Sequence, residues 1–153
     1  MIRISLAACL AACLAAGPVL AADPPAVALA IPCPDGMELD SIVEPWDQNS
    51  AVYANGDVRL ALIDLVEPAV ASYQLAVLHP PRDVLGARQC HLIARDQHTG
   101  FAAIDFGQRD VAYHPQTGLT IAMPFRLEPE GEWSLFTITV DQQTGKVSYS
   151  GRD

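Results

Sequence analysis

Basic residues are scarce in this chain: nine Lys and Arg stand against eighteen Asp and Glu, for a formal charge of −9. After Arg3 they are scattered, at Arg59, Arg82, Arg88, Arg95, Arg109, Arg126, Lys146 and Arg152, with no basic stripe. Such a surface is repelled by phosphate backbones and anionic lipids, so nucleic acid is not an expected partner. Beyond the N-terminal segment there is no apolar run near the roughly 20 residues that span a bilayer, so stable membrane insertion is not expected either. Amphipathic helical periodicity is missing. So are a Gly-x-Ser-x-Gly elbow, a phosphate-cradling glycine loop and a paired-carboxylate motif. Triads assemble from distant positions, but no motif argues positively for an enzyme.

The N-terminus has an export pattern. Arg3 precedes the uncharged apolar run Ile4 to Ala16, Gly17-Pro18 breaks it, and Val19-Leu20-Ala21 fits a cleavage point before Ala22. The expected organisation is a signal peptide over 1–21, a Pro/Ala-rich lead over 22–36 and an all-β domain over 37–153. Processing at Ala22 removes Arg3 and leaves a charge of about −10. The alternative is a lipoprotein acylated at Cys13, since Leu10-Ala11-Ala12-Cys13 resembles a lipobox. Either way the expected compartment is the periplasm or the exterior.

Two cysteines remain after processing, Cys33 and Cys90. An even pair in an oxidising compartment reads as a disulfide, and the pair lacks the Cys-x-x-Cys spacing of a redox or metal site.

What the chain has in quantity is turns and alternation. Asp96-Gln97-His98-Thr99-Gly100, His114-Pro115-Gln116-Thr117-Gly118 and Asp141-Gln142-Gln143-Thr144-Gly145 repeat one pattern. A leading Asp bonds a backbone N–H two residues on, and the closing Gly accepts positive φ. Apolar alternation flanks each copy, which predicts three hairpins in a meander. Asn55-Gly56 predicts a two-residue hairpin joining Ala51–Ala54 to Asp57–Val66. Met37–Val43 is expected as a short strand, and the prolines of Ala22–Pro34 are expected to block regular structure. The inward parity of Phe101–Tyr113 changes near Gly107, which predicts a bulge, and Pro124 within Leu119–Leu127 predicts an edge or a gap in the ladder. About seven or eight antiparallel strands follow, an all-β fold. Even turn spacing favours an up-and-down barrel, complete or partly open, with a β-sandwich as the alternative.

The four histidines, His79, His91, His98 and His114, show no metal-ligand spacing, so no metal or cofactor is expected. Three of them, His79, His98 and His114, are expected in loops. Cys90-His91 should send its side chains to opposite faces of one strand. Glu128, Glu130 and Glu132 do not match a calcium loop and read as a charged hairpin tip. Asp64 lies in an apolar run, where it is either paired, perturbed or exposed at a fraying strand end.

The expected function is recognition by a small exported acidic binding module in the bacterial envelope, inhibitory in one version, with a protein or ligand as partner. The expected contacts are His79, Arg82 and Asp83, Trp46, and Glu128, Glu130 and Glu132, with the weight on the outer loops 79–86 and 128–132. In fold class and compartment the chain is similar to bacterial periplasmic lysozyme inhibitors, whose motif residues it lacks, so no site carries over. An acidic surface suits a basic partner through steering. The alternatives are an accessory or assembly subunit of an envelope complex, and an enzyme using Asp64 with a loop histidine.

Overall fold

The computed structural model describes residues 28–67 and 69–152. The expected signal segment and the first residues of the lead lie outside them. Among the described residues, ten strands form two antiparallel sheets. The first sheet has the order β1-β5-β4-β3-β2, built from β1 Leu29–Pro32, β2 Ser50–Tyr53, β3 Val58–Asp64, β4 Tyr73–His79 and β5 Gln89–Ala94. The second has the order β10-β9-β8-β6, with β7 also on β8. Its strands are β6 Ala103–Ile104, β7 Asp110–His114, β8 Gly118–Arg126, β9 Ser134–Val140 and β10 Val147–Arg152.

Neither sheet closes, so the expected barrel is replaced by an open two-sheet arrangement that is closer to a sandwich. Between the sheets, among the described residues, pairing is limited to one isolated bridge, Tyr73 to Phe101. The turn at Asp96–Gly100 explains the difference. It does not fold β5 back on itself; it carries the chain from one sheet to the other. The copies at His114–Gly118 and Asp141–Gly145 do make hairpins, β7–β8 and β9–β10. Even turn spacing cannot distinguish a turn within a sheet from one that leaves it.

The turn chemistry follows the sequence. The Oδ1 of Asp96 accepts from the N–H groups of His98 and Thr99, at 2.7 and 2.8 Å, and that of Asp141 accepts from Gln143 and Thr144, at 2.9 and 3.1 Å. Backbone donation, chiefly from His98 to Asp96 and from Thr144 to Asp141, holds both carboxyls below the usual carboxylate range. Asn55-Gly56 does lie in a hairpin turn. Tyr53 pairs with Val58, however, so four residues close it rather than two.

Alternation puts Leu60, Leu62, Leu75, Val77 and Ile93 of the first sheet against Ile121, Met123, Phe125, Phe136 and Ile138 of the second. Phe101, Phe125 and Phe136 meet at ring-centroid separations of 5.1 to 5.9 Å within this core. The phase change in 101–113 is larger than one bulged residue. Ile104 pairs with Phe125 and Asp110 with Ala122, so six steps on one side oppose three on the other. A 3-10 turn, Phe106–Gln108, absorbs the excess. An odd excess flips parity, which returns Val111 to the core side. Pro124 accepts from the Asp105 N–H, so its missing N–H would face the same side, where this turn interrupts the ladder. The gap is therefore the correct version of that expectation.

Two segments depart further. Leu29–Pro32 is an edge strand on β5 despite Pro32, because an edge leaves one row of N–H groups unneeded. Met37–Val43 is not a strand: it contains a 3-10 turn, Leu39–Ser41, and among the described residues its backbone pairs with β3 only at an isolated bridge, Ile42 to Ile63. From Cys33 to Val43 the chain straps across the outer face of the first sheet. There Ile31, Cys33, Met37 and Ile42 pack on Ala61, Ile63, Ala76 and Leu92. The Cys33–Cys90 disulfide ties down one end of the strap.

Candidate functional site

The registers sort the turns into two ends. Tyr53–Val58, His79–Gln89, His114–Gly118 and Val140–Val147 mark one end; Asp64–Tyr73, Leu29–Ala94 and Phe125–Ser134 mark the other. The first end gathers four turns: 54–57, 80–88, 115–117 and 141–146. The fit between two of them needs glycine, because a Cβ on Gly145 would strike the Pro80 carbonyl and the Pro81 ring.

Residues 80–88 form a braced loop. Asp83 accepts from the N–H groups of Leu85 and Ala87 through Oδ1, at 2.9 and 2.8 Å, and its own N–H donates to Ala87 O at 2.8 Å. Gly86 N–H returns to Asp83 O at 3.0 Å, with Gly86 at φ +87°. Arg82 donates to Gly86 O at 3.0 Å and to Asp57 Oδ1 at 3.3 Å. Arg88 donates to Asp57 O at 3.1 Å and to Gly56 O, clamping the loop onto the β2–β3 turn. That turn holds Ala54, Asn55 and Gly56 at φ 52°, 54° and 96°, a left-handed run unfavourable for alanine. On the tip of this framework Val84 and Leu85 are 102% and 90% exposed.

Beneath the loop lies His79, 0% exposed at the end of β4. One ring nitrogen, Nδ1, is 2.6 Å from Pro80 O; the other, Nε2, is 2.7 Å from His91 Nδ1. A carbonyl only accepts, so Nδ1 of His79 carries the proton, and in the neutral pair Nε2 accepts from His91 Nδ1–H. Burial, then the neighbouring His79, lowers the His91 pKa from 6.5. The pair fixes the root of the loop. His79 is thus a strand residue, not the loop residue expected, and Cys90 and His91 do face opposite ways.

Beside the clamp is a cleft of about 470 Å³ walled by Tyr53, Tyr113 and Leu119, with Asn55, Asp57 and Gln142 at its polar edge. The Nε2 of Gln142 is buried there without a hydrogen-bond partner. The Tyr53 hydroxyl accepts from Arg109 Nε at 2.7 Å, which fixes one aromatic wall.

Of the expected contacts, His79, Arg82 and Asp83 meet at this end, as root and braces. Glu128, Glu130 and Glu132 are exposed at the opposite end, where Glu128 lies 3.8 Å from Arg95. Trp46 sits on a single helical turn, Trp46–Asn49, against the 3-10 turn at 106–108. Asp64 ends β3 half-buried and accepts from Val66 N–H at 2.8 Å, a turn-closing bond that explains its place in an apolar run. The expected residues therefore lie in three separate places: the two ends of the sheets and the turn that carries Trp46.

No known family, curated protein or solved structure matches this chain. Its site is legible only from its own geometry. Sequence reasoning chose the polar residues of loop 79–86 and passed over Val84-Leu85, although an apolar pair inside a Pro- and charge-flanked loop has no strand to belong to. Tyr53, Tyr113 and Gln142 had no such signal, since they converge from three separate hairpins.

Proposed function

We propose that this protein is an exported recognition module that grips a protein partner in the envelope, with Val84 and Leu85 as its anchor. The observation that carries the reading is the pairing of full exposure with a braced backbone at those two residues. Leaving a valine and a leucine in water forgoes about 1.5–3 kcal/mol each, which a partner's apolar slot returns on binding. Because Asp83, Arg82 and Arg88 already hold the loop, little ordering entropy opposes that gain. A convex tip of this kind fills a cleft, so the reading extends to inhibition of a partner whose working site is concave. The acidic charge favours a basic partner by steering its approach. Export is supported by the Ile4–Ala16 run and by the Cys33–Cys90 disulfide.

The test is site-specific photo-crosslinking in the organism that makes the protein. A crosslinker at Leu85 should give one discrete adduct, and one at the half-exposed Leu135 of β9 should not. Adducts at Leu135 with none at Leu85 would move recognition to the second sheet.

A further inference from the structure

Along the second sheet the β10 edge lies beside β1, but the opposite edge is open. There β7, Asp110–His114, pairs with β8 and, among the described residues, with no other strand. Asp110, Ala112, Tyr113 and His114 are all exposed. Native sheets blunt such an edge with lysine, proline or a bulge, and β7 has none of these.

The register decides which backbone groups of β7 are free. Pro124 O and Arg126 O accept from the N–H groups of Asp105 and Ala102, so the even-numbered residues of β8 aim their backbone groups toward β6 and β7. Ala122, Thr120 and Gly118 therefore exchange bonds with Asp110, Ala112 and His114. Val111 and Tyr113 aim their N–H and C=O groups the other way, out of the sheet. No turn or loop of the described residues bonds to them.

We infer that β7 is a pairing edge for a second copy of this chain, joined antiparallel about a two-fold axis at Ala112. In that register Val111 N–H donates to Tyr113 O of the second copy, and Val111 O accepts from the N–H of that same tyrosine. The symmetric pair does likewise, so every outward group of both edges is used.

A second copy is the occupant because the edge, Asp-Val-Ala-Tyr-His, matches its own reverse. Asp110 falls opposite His114 of the second copy, Val111 opposite Tyr113, and Ala112 opposite itself. His114 Nδ1 accepts from Gln116 N–H at 3.4 Å, which puts the ring proton on Nε2, where it can be donated to the facing carboxylate. Neither Asp110 nor His114 has an ion pair among the described residues. Their cross-pair has the closer of the two antiparallel spacings, about 4.5 Å between Cα atoms. On the inner face a β-branched side chain meets an aromatic one twice, a favourable cross-strand pairing. Tyr113 is 64% exposed and walls the 470 Å³ cleft, so Val111 of the second copy has room beside it. An unrelated strand could form the same backbone bonds without these matches.

Five residues a side make a small interface, so the pair is weak, with a Kd on the order of 100 µM. The oxidised protein is followed from about 20 µM to about 1 mM by sedimentation equilibrium and amide hydrogen exchange. Sedimentation should show a monomer–dimer equilibrium. The Val111 and Tyr113 amides should exchange about fourfold more slowly at the higher concentration, while the Leu85 amide keeps its rate. His114→Asp sets carboxylates opposite each other and should weaken pairing at least about tenfold; Asp110→Lys/His114→Asp should restore it. Tyr113→Pro removes an outward N–H that β8 does not use, so it should fold and remain monomeric. Asp110 and His114 are exposed, so the charge variants decide the matter if the proline variant does not fold. A dimer indifferent to His114→Asp, or unchanged exchange at Val111 and Tyr113, would overturn the inference. So would a monomer at about 1 mM, which would leave the edge to a strand of another protein. Val84 and Leu85 lie outside the pairing, so none of these outcomes bears on the loop tip.

Discussion

Replacing Cys33 and Cys90 together with alanine removes a crosslink between residues 57 apart in sequence. In the chain-entropy account, freeing a loop of that length costs about 4 kcal/mol at 25 °C. That is a large share of the 5–15 kcal/mol typical of a whole domain. The folded state should change little, because Cys33 N–H still reaches Cys90 O at 3.1 Å and Ile31, Met37 and Ile42 still cover the patch on the first sheet. The loss therefore acts mainly through the unfolded chain. Urea unfolding of the oxidised protein and the double variant reads it directly: with a slope near 2 kcal/mol/M, the midpoint should fall by about 2 M. Hydrogen exchange at the Cys33 amide separates a local effect from a global one, since that amide should remain protected in the folded variant. A loss below about 1 kcal/mol would refute the crosslink as a main support of the fold. Loss of protection at Cys33 with an unchanged midpoint would show that the bond holds only the strap.

Phe136→Ala should cost about 3–5 kcal/mol by thermal or denaturant unfolding, because its ring is buried against Phe101, Phe125 and Tyr149; a loss under 1 kcal/mol would contradict the packing. Stability should also fall with acid in a window set by His91. Its folded pKa lies below 6.5, so the unfolded chain binds the proton first. The full contribution is present above about pH 6.5 and is lost as pH falls from there toward the folded pKa. A His91→Phe variant should flatten that part of the stability–pH curve; an unchanged slope would assign it elsewhere.

Strand identity was legible wherever one face is buried and the other is wet. Gly118–Arg126 alternates without a break, as Leu119 to Phe125 predicted. Alternation failed where both faces are covered: Gln74 and Ala76 are buried under the strap, and no local pattern in 33–43 announces that an irregular segment will cover a sheet. The Asx bonds of Asp96 and Asp141 depend on neighbours two and three residues away, and these were readable. Whether the turn at Asp96 stays in its sheet depends on Phe101 meeting Tyr73 across 28 residues, and that was not readable. The candidate site divides in the same way. Loop 79–86 was visible as a structureless stretch, but its bracing depends on Arg82 and Arg88 reaching Asp57 and Gly56 in another hairpin.

The proposed recognition rests on the tip of that loop, and one comparison tests it most directly. Wild type, the double variant Val84→Asp/Leu85→Asp and the control Leu135→Asp are immobilised, and partner capture from envelope extract is quantified beside each protein's melting temperature. Both loop residues are exposed, so the melting temperatures should agree within the small change expected of surface substitutions, about 0.5 kcal/mol. Capture of the partner crosslinked at Leu85 should survive Leu135→Asp and disappear with the loop variant. Full capture by a folded loop variant would contradict the account.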